Sequence, residues 1–237
     1  MRALILAAGL GTRLRPLTER VPKCLVPING RPLLDYWLEL LLAGGACERV
    51  LVNTSWLAEQ VRAYVAASPW RARIDLAHEE SLLGTGGTVL ANRAWFGPGP
   101  FLVAHGDNLT DFDVHAFIAR HAARPAGAVI TMMTFETDSP RSCGIVETDG
   151  QDLVIAFHEK VADPPGTRAN GAVYIFEPEV ADFIAALDSP VVDLSTQVLP
   201  AFLGRIFTFH NAGYHRDIGT PESLARAEQD FAANHRG

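Results

Sequence analysis

The residues best suited to chemistry lie near the start of the chain, where glycines follow a short apolar run. Residues 3–7 are continuously apolar and predict a buried strand, and Gly9 and Gly11 come directly after it. A glycine loop that leaves a strand lets backbone N–H groups approach an anion closely. Cations follow within the same segment, namely Arg13, Arg15 and Lys23. The segment therefore predicts a binding site for a polyphosphate.

Two common phosphate-binding motifs do not fit this segment. The Rossmann fingerprint G-x-G-x-x-G needs a third glycine where this chain has Leu14, and the Walker A loop needs a lysine directly after its glycines. A plain strand-to-loop turn with surface arginines is the simpler alternative. It does not account for the cations gathered before residue 24, so an anion site is favoured.

Strand and helix patterns alternate around this loop and must position it. Apolar runs predict strands at 3–7, 49–53, 74–77, 101–104 and 128–134. Helical spacing predicts helices at 33–43, 56–67, 88–95 and 114–123. The segment 9–32 is a long polar loop, which in a compact domain usually carries function. This alternation predicts an α/β fold with a mostly parallel sheet flanked by helices.

The pattern changes after about residue 140. The runs 144–147 and 153–157 flank a turn signal at 148–152 and predict a hairpin. Further strands are expected at 172–176 and 206–209, and helices at 179–187, at 195–202 and after Thr220–Pro221. We predict one domain, 1–237, whose second half adds a small β-rich lid to a Rossmann-like mixed sheet.

Composition and charge exclude several classes of protein. The 237 residues are 48% apolar and 20% charged, which is typical of a globular chain and not of a disordered one. The net charge of −7 provides no general attraction for nucleic acid or anionic membranes. No run of 18 apolar residues occurs, so no membrane-spanning helix is expected. Three widely spaced cysteines, Cys24, Cys47 and Cys143, favour a reducing cytoplasm over a disulfide framework.

The whole loop resembles a known family. Gly9–Arg13 matches G-x-G-T-R, and Pro22–Pro27 matches P-K-x-L-x-P. Together these motifs resemble the signature of the sugar-1-phosphate nucleotidyltransferases, the nucleotide-sugar pyrophosphorylases. Later motifs follow in the family's order, so the resemblance covers nearly the whole chain. The family fold, a Rossmann-like mixed sheet, agrees with the predicted alternation, with 1–140 as the nucleotide-binding part and 141–237 as the sugar-binding part and C-terminal helices.

The resemblance implies roles for individual residues. Arg13 is expected to grip the departing pyrophosphate, and Lys23 the α-phosphate or the sugar phosphate. The residues expected to bind the nucleotide are Leu6, Ala8, Gly9, Gly11 and Thr12 in the first loop, with Gly86 and Gly87 at the nucleobase. Asp107 and Asp217 match the two aspartates that hold Mg²⁺, a plausible donor set when phosphate oxygens and waters complete it. Gly144, Glu159, Lys160 and Asn170 match the sugar side.

Two other residues bear on the site. Cys143 departs from the family pattern, since many relatives carry tyrosine before the glycine that is Gly144 here. Asn53 ends the second predicted strand and is a weaker candidate for substrate contact.

The implied reaction joins a nucleoside triphosphate to a sugar 1-phosphate, giving a nucleoside diphosphate sugar and pyrophosphate by direct displacement. The motifs look closest to the mannose- and manno-heptose-1-phosphate guanylyltransferases, which favours GTP. A uridylyltransferase acting on N-acetylmuramic acid or glucose 1-phosphate is the alternative. A homodimer is left open, and no C-terminal β-helix is expected.

Two competing interpretations differ in class. A metal-dependent glycosyltransferase is suggested by the D-x-D pattern of Asp111–Asp113, whose simpler interpretation is a loop and helix N-cap. A catalytically silent subunit that binds nucleotide sugars is the more distant alternative. The glycine loop with Lys23 favours the nucleotidyltransferase over both the glycosyltransferase and the silent subunit.

Overall fold

The computed structural model describes residues 1–234 of the chain. Within them the strands are β1 (Arg2–Leu6), β2 (Pro27–Ile28), β3 (Arg31–Pro32), β4 (Arg49–Thr54), β5 (Ile74–His78), β6 (Phe101–His105), β7 (Asn108–Thr110), β8 (Ile130–Glu136), β9 (Gly144–Thr148), β10 (Val154–Glu159), β11 (Arg168–Phe176), β12 (Ile206–His210) and β13 (His215–Asp217). The α-helices are α1 (Leu33–Leu42), α2 (Ala58–Ala67), α3 (Gly84–Ala91), α4 (Arg93–Phe96), α5 (Val114–Ala122), α6 (Pro178–Ala186) and α7 (Pro221–Asn234).

These elements form two compact units that alternate along the chain. The glycine-loop unit consists of Leu4–Leu82, His105–Phe112 and the chain from Gly213 onward. The hairpin unit consists of Met1–Ala3, Leu83–Ala104 and Asp113–Ala212. The division of a single domain into the parts 1–140 and 141–237 stays a prediction.

The glycine-loop unit is built on parallel strands. β1, β4 and β5 are neighbours in that order, and β4 runs parallel to β5 from the pair Val50–Ile74 to the pair Thr54–His78. Leu4 and Ile5 are fully buried, as expected for a strand covered on both faces. The long segment that follows β1 contains three short 3₁₀ turns and the small hairpin β2–β3, where a plain loop was predicted.

A short antiparallel pair in this unit was not predicted. β7 pairs with β13, which places Asp217 opposite Asn108, the residue that directly follows Asp107. The buried Trp37 of α1 donates from its indole N–H to the Asn108 carbonyl oxygen at 2.9 Å. Because each strand has three residues and they lie about a hundred positions apart, no local pattern reveals the pairing.

The hairpin unit is largely antiparallel. β11 pairs in the antiparallel sense with β6, β8 and β9, while β12 runs parallel to β8. The predicted hairpin is confirmed as β9–β10, and the Asp149 side chain accepts hydrogen bonds from the N–H groups of Gln151 and Leu153 in its turn.

Two helix predictions for the hairpin unit need correction. The helix expected to begin near residue 88 begins at Gly84, because the Val192 carbonyl oxygen accepts the N–H groups of Gly86 and Gly87 in its first turn. The helix expected at 195–202 is instead a π turn, Leu194–Val198, followed by a 3₁₀ turn, Leu199–Phe202. Pro200 has no N–H to donate, so a regular helix cannot continue through it.

The predicted fold class, an α/β fold with a mixed, mostly parallel sheet flanked by helices, is confirmed. The last helix starts as expected, since the Thr220 hydroxyl accepts the N–H of Ser223 at 3.2 Å. Within residues 1–234, no helix combines the length and the apolar character needed to span a bilayer.

Candidate active site

The glycine loop has a backbone shape that depends on Gly11. Gly11 lies in the left-handed region with φ +61°, and a Cβ atom there would lie 2.8 Å from Thr18 Cγ2 and 3.3 Å from Lys23 Cβ. The Thr18 hydroxyl donates to the Gly11 carbonyl oxygen at 2.7 Å, and the Trp56 indole N–H donates to the Thr18 carbonyl oxygen at 3.0 Å. The loop is thus folded against Thr18 and Lys23, with no space for a side chain at Gly11.

Substitution of Gly11 with alanine is expected to weaken nucleotide binding by about 100-fold, because the loop must shift to clear Thr18. Isothermal titration calorimetry with GTP and Mg²⁺ measures the change. Gly30→Ala is the matched control, since Gly30 also has a positive φ but no atom within 4 Å of its Cβ position. Equal affinities for the two variants would contradict the assigned role of the Gly11 contact.

Lys23 lies between the two predicted metal aspartates. Its Nζ is 2.8 Å from Asp107 Oδ2 and 3.4 Å from Asp217 Oδ1, and its side chain is 9% exposed. The 3₁₀ turn Lys23–Leu25 and the strands β7 and β13 bring these three residues together. The sequence-predicted Lys23, Asp107 and Asp217 therefore form one cluster, which we call the Lys23 cluster.

The electrostatics of this cluster keep Asp107 ionised. Burial acts to raise the pKa of the Asp107 carboxyl, but the charges of Lys23 and His105, together with hydrogen bonds from Lys23 and the backbone, hold that pKa below its usual value. A carboxylate at neutral pH is the form that can hold a cation.

Arg13 approaches the cluster from the glycine loop. Its Nη2 lies 3.4 Å from Asp217 Oδ2, and its side chain is 64% exposed, so it can reorient toward an anion from solvent. A Cβ atom at Gly219 would lie 2.6 Å from Arg13 Nη2 and 2.8 Å from Asp217 Oδ1. Gly219 therefore makes room for this ion pair. It lies two residues after Asp217, and only the folded arrangement reveals its role.

Within the glycine-loop unit, the end of β1 lies close to Gly106. The Leu6 carbonyl oxygen accepts the Gly106 N–H at 2.9 Å, and a Cβ atom at Gly106 would lie 2.6 Å from Ile5 Cγ2. The Ala8 N–H donates to Asn53 Oδ1 at 3.2 Å. These backbone groups of Leu6 and Ala8 are used inside the protein, and their predicted nucleotide contacts stay predictions.

The Lys23 cluster can supply part of the ligand set of a divalent metal ion. Asp107 and Asp217 present two carboxylates, and within residues 1–234 no group of three or more His, Cys, Asp or Glu side chains could hold a metal ion. Mg²⁺ commonly binds through one or two carboxylates, substrate phosphates and waters. The two aspartates therefore fit a metal that arrives with a phosphate ligand.

Gly86 and Gly87 lie in the hairpin unit, at the start of α3. Their N–H groups donate to the Val192 carbonyl oxygen at 2.8 and 3.2 Å. A Cβ atom at Gly86 would lie 2.7 Å from Val192 Cγ1, so this glycine is needed for packing. The predicted nucleobase contact of the two glycines stays a prediction.

The four predicted sugar-binding residues also lie in the hairpin unit. Gly144 pairs with Glu159 across β9 and β10, and a Cβ atom at Gly144 would lie 2.7 Å from Glu159 Oε2. Lys160 Nζ lies 3.2 Å from Glu159 Oε1. Asn170 donates from Nδ2 to the Tyr174 hydroxyl at 2.7 Å and accepts the Ala172 N–H at 2.9 Å. Gly144, Glu159 and Lys160 are brought together, whereas the Asn170 amide is used inside β11.

The D-x-D pattern of Asp111–Asp113 forms a loop and a helix N-cap, which was the simpler of its two interpretations. The Asp113 carboxylate accepts the Ala116 N–H at 2.9 Å and caps α5.

Comparison with known proteins shows which proteins this chain is similar to. The chain is 34% identical over 234 residues to a mannose-1-phosphate guanylyltransferase of Mycobacterium tuberculosis, an alignment that covers 97% of this chain and 64% of the relative. It is 34% identical over 198 residues to a UTP–glucose-1-phosphate uridylyltransferase of Synechocystis sp., covering 78% of this chain and 51% of that relative. The chain thus spans between half and two thirds of these relatives.

A solved structure and a family model extend the comparison. The crystal structure of HddC from Yersinia pseudotuberculosis complexed with GMP-PN superposes with a TM-score of 0.78 at 26% identity, covering 97% of this chain and 99% of that one. The nucleotidyl transferase family model matches residues 2–234. Enzymes of this family generally use a divalent metal ion. With the glycine loop and the Lys23 cluster in place, the chain belongs to the nucleotidyl transferase family.

Proposed function

We propose that the chain is a sugar-1-phosphate nucleotidyltransferase that transfers a nucleoside monophosphate from GTP to a mannose- or manno-heptose-type sugar 1-phosphate. The products are a nucleoside diphosphate sugar and pyrophosphate. The observation that carries this proposal is the buried Lys23 ammonium between Asp107 and Asp217, with the Lys23 Cβ close to Gly11 of the glycine loop. Such a cluster can receive a polyphosphate and its metal ion together.

The reaction needs charge compensation more than proton transfer. The sugar phosphate oxygen is already anionic, so it requires no general base to attack the α-phosphorus. Two unit charges 4 Å apart repel each other by about 1 kcal/mol in water and by more in a drier site. Lys23 would bind the α-phosphate or the sugar phosphate, and Arg13 would leave Asp217 to bind the departing pyrophosphate. We expect direct in-line displacement without a covalent intermediate.

Asp107 and Asp217 are the residues that would hold Mg²⁺. When bound, the ion would supply Lewis-acid neutralisation of phosphate charge. The ionised Asp107 supports this assignment, since its pKa lies below the usual value through Lys23 and His105 despite the opposing effect of burial.

The choice of GTP is supported by the relatives. The Mycobacterium tuberculosis relative is named a guanylyltransferase, and HddC was crystallised with GMP-PN. The Synechocystis relative supports the alternative, a uridylyltransferase acting on glucose or N-acetylmuramic acid 1-phosphate. Gly86 and Gly87 are proposed for the base, and Gly144, Glu159, Lys160 and Asn170 for the sugar. The free thiols of Cys24, Cys47 and Cys143 support a cytoplasmic location.

Pyrophosphate release with Mg²⁺ tests the substrate assignment. ATP, GTP, UTP, CTP and dTTP are each combined with the 1-phosphates of mannose, manno-heptose, glucose and N-acetylmuramic acid. We expect turnover with GTP and mannose or manno-heptose 1-phosphate. Turnover confined to UTP would establish the alternative, and nucleotide binding without turnover in any combination would point to a silent subunit.

A further inference from the structure

A buried amide and a buried carboxylate hold the backbone that enters the glycine loop. Asn53, at the end of β4, accepts the N–H of Ala7 at 2.6 Å and that of Ala8 at 3.2 Å on its Oδ1. Its Nδ2 donates to Glu79 Oε1 at 2.9 Å. Asn53 is 3% exposed and Glu79 is 6% exposed. These contacts form a chain from Glu79 through Asn53 to the backbone directly before Gly9.

Each member of this chain has a definite chemical role. Two consecutive backbone N–H groups need an acceptor, so the Asn53 amide must turn its oxygen toward Ala7 and Ala8. Its NH₂ group then needs an acceptor of its own, which the Glu79 carboxylate provides. Glu79 is itself held in register, because its backbone N–H donates to the Thr54 carbonyl oxygen at 2.8 Å. The parallel strands β4 and β5 therefore position both members, since Asn53 lies in β4 and Glu79 directly follows β5.

The contacts divide the backbone N–H groups of the loop into two sets. Those of Ala7 and Ala8 are satisfied by Asn53. Those of Gly9, Leu10 and Gly11 donate to no acceptor within residues 1–234. Consecutive peptide planes are linked by few free dihedral angles. Because Asn53 holds the N–H groups of the first set, it also fixes the direction in which the N–H groups of the second set point.

We propose that Asn53 and Glu79 are positioning residues that hold the glycine loop in the conformation that binds the triphosphate. They act through the backbone of Ala7 and Ala8. This inference rests on the proposed function, since it takes the loop to bind a nucleoside triphosphate. The weaker sequence-based expectation that Asn53 contacts substrate stays a prediction.

Moving the carboxylate to position 53 and the amide to position 79 tests the proposal. Asn53→Asp places a carboxylate against Glu79 and removes the donor between them, so GTP affinity in the presence of Mg²⁺ should fall at least about 10-fold. The double variant Asn53→Asp/Glu79→Gln restores a donor at position 79 and keeps the acceptor for Ala7 and Ala8. Its GTP affinity should return to within about threefold of the wild type. Isothermal titration calorimetry on the full chain measures each affinity.

Two further measurements separate positioning from general stability. Glu79→Gln alone keeps an oxygen that can accept from Asn53, so it is the control and should bind GTP within about threefold of the wild type. Hydrogen–deuterium exchange of peptides that contain Ala7 and Ala8 should be faster in Asn53→Asp and normal in the double variant, while peptides from α1 are unchanged. If Asn53→Asp does not fold, Glu79→Leu replaces it, with the same expected loss of GTP affinity.

The proposal is overturned if Asn53→Asp, or its replacement Glu79→Leu, binds GTP as tightly as the wild type. It is also overturned if the double variant binds no better than Asn53→Asp. A wild-type chain that binds no GTP would count against the proposed function instead. The exchange rates of Ala7 and Ala8 in the free variants would then still decide whether Asn53 holds this backbone.

Discussion

Replacement of Lys23 with alanine is expected to lower kcat by about 1,000-fold or more at saturating substrates. Lys23 is the buried cation of the site, with Nζ at 2.8 Å from Asp107 and 3.4 Å from Asp217. Without the Lys23 ammonium, the charges of the two carboxylates are no longer offset and increase the electrostatic repulsion that the phosphate groups meet in the site. The loss should appear mainly in kcat, because the charge that Lys23 offsets is greatest when two phosphate groups approach each other. Steady-state pyrophosphate release gives the value.

A control separates this effect from a general loss of positive charge or of fold. Arg20→Ala removes an exposed cation from the same segment of the chain and should leave kcat within about threefold of the wild type. Circular dichroism and the Tm of both variants show whether they are folded. A folded Lys23→Ala enzyme with near-normal kcat would remove Lys23 from the mechanism.

Replacement of Asp107 with asparagine is expected to lower kcat by about 100- to 1,000-fold at a fixed Mg²⁺ concentration. Asparagine keeps the shape of the side chain but loses the charge, and a neutral amide oxygen is a weaker ligand for a hard cation. The loss should be accompanied by weaker binding of Mn²⁺ in the presence of GTP, followed by electron paramagnetic resonance. This second measurement does not depend on turnover.

The matched control is a neighbouring aspartate. Asp111→Asn removes an exposed carboxylate from the D-x-D pattern of Asp111–Asp113 and should leave both kcat and Mn²⁺ binding near their wild-type values. A large loss in Asp111→Asn together with a normal Asp107→Asn would reverse the assignment and favour the glycosyltransferase interpretation.

The sequence was enough to predict the members of the Lys23 cluster, because each lies in a specific local motif. What local motifs could not show is how Asp217 reaches Asp107. That approach depends on β13 pairing with β7, two three-residue strands joined by a register in which Asp217 lies opposite Asn108. Elements this short have almost no periodicity, so their formation depends on contacts between distant parts of the chain.

The glycines illustrate a second limit. Gly86 and Gly87 looked like a loop because glycine lowers helix propensity, yet Val192 accepts their N–H groups and the helix begins at Gly84. The requirement for glycine at position 219 is visible only in the fold, where a Cβ atom would lie 2.6 Å from Arg13 Nη2. Asn53 likewise lies at the end of a predicted strand, but its partners Ala7 and Glu79 directly follow two other strands, β1 and β5. Only the folded sheet brings the three residues together.

We propose that the nucleotide is cleaved between its α- and β-phosphates and that the sugar phosphate takes the α-phosphoryl group. The most direct measurement uses nucleoside triphosphate labelled with ³²P at the α-position, paired with the sugar 1-phosphate that gives turnover. We predict that the label appears in the nucleoside diphosphate sugar, with one pyrophosphate released for each molecule formed. Release of nucleoside diphosphate and phosphate, or no labelled sugar nucleotide with any substrate pair, would contradict the account.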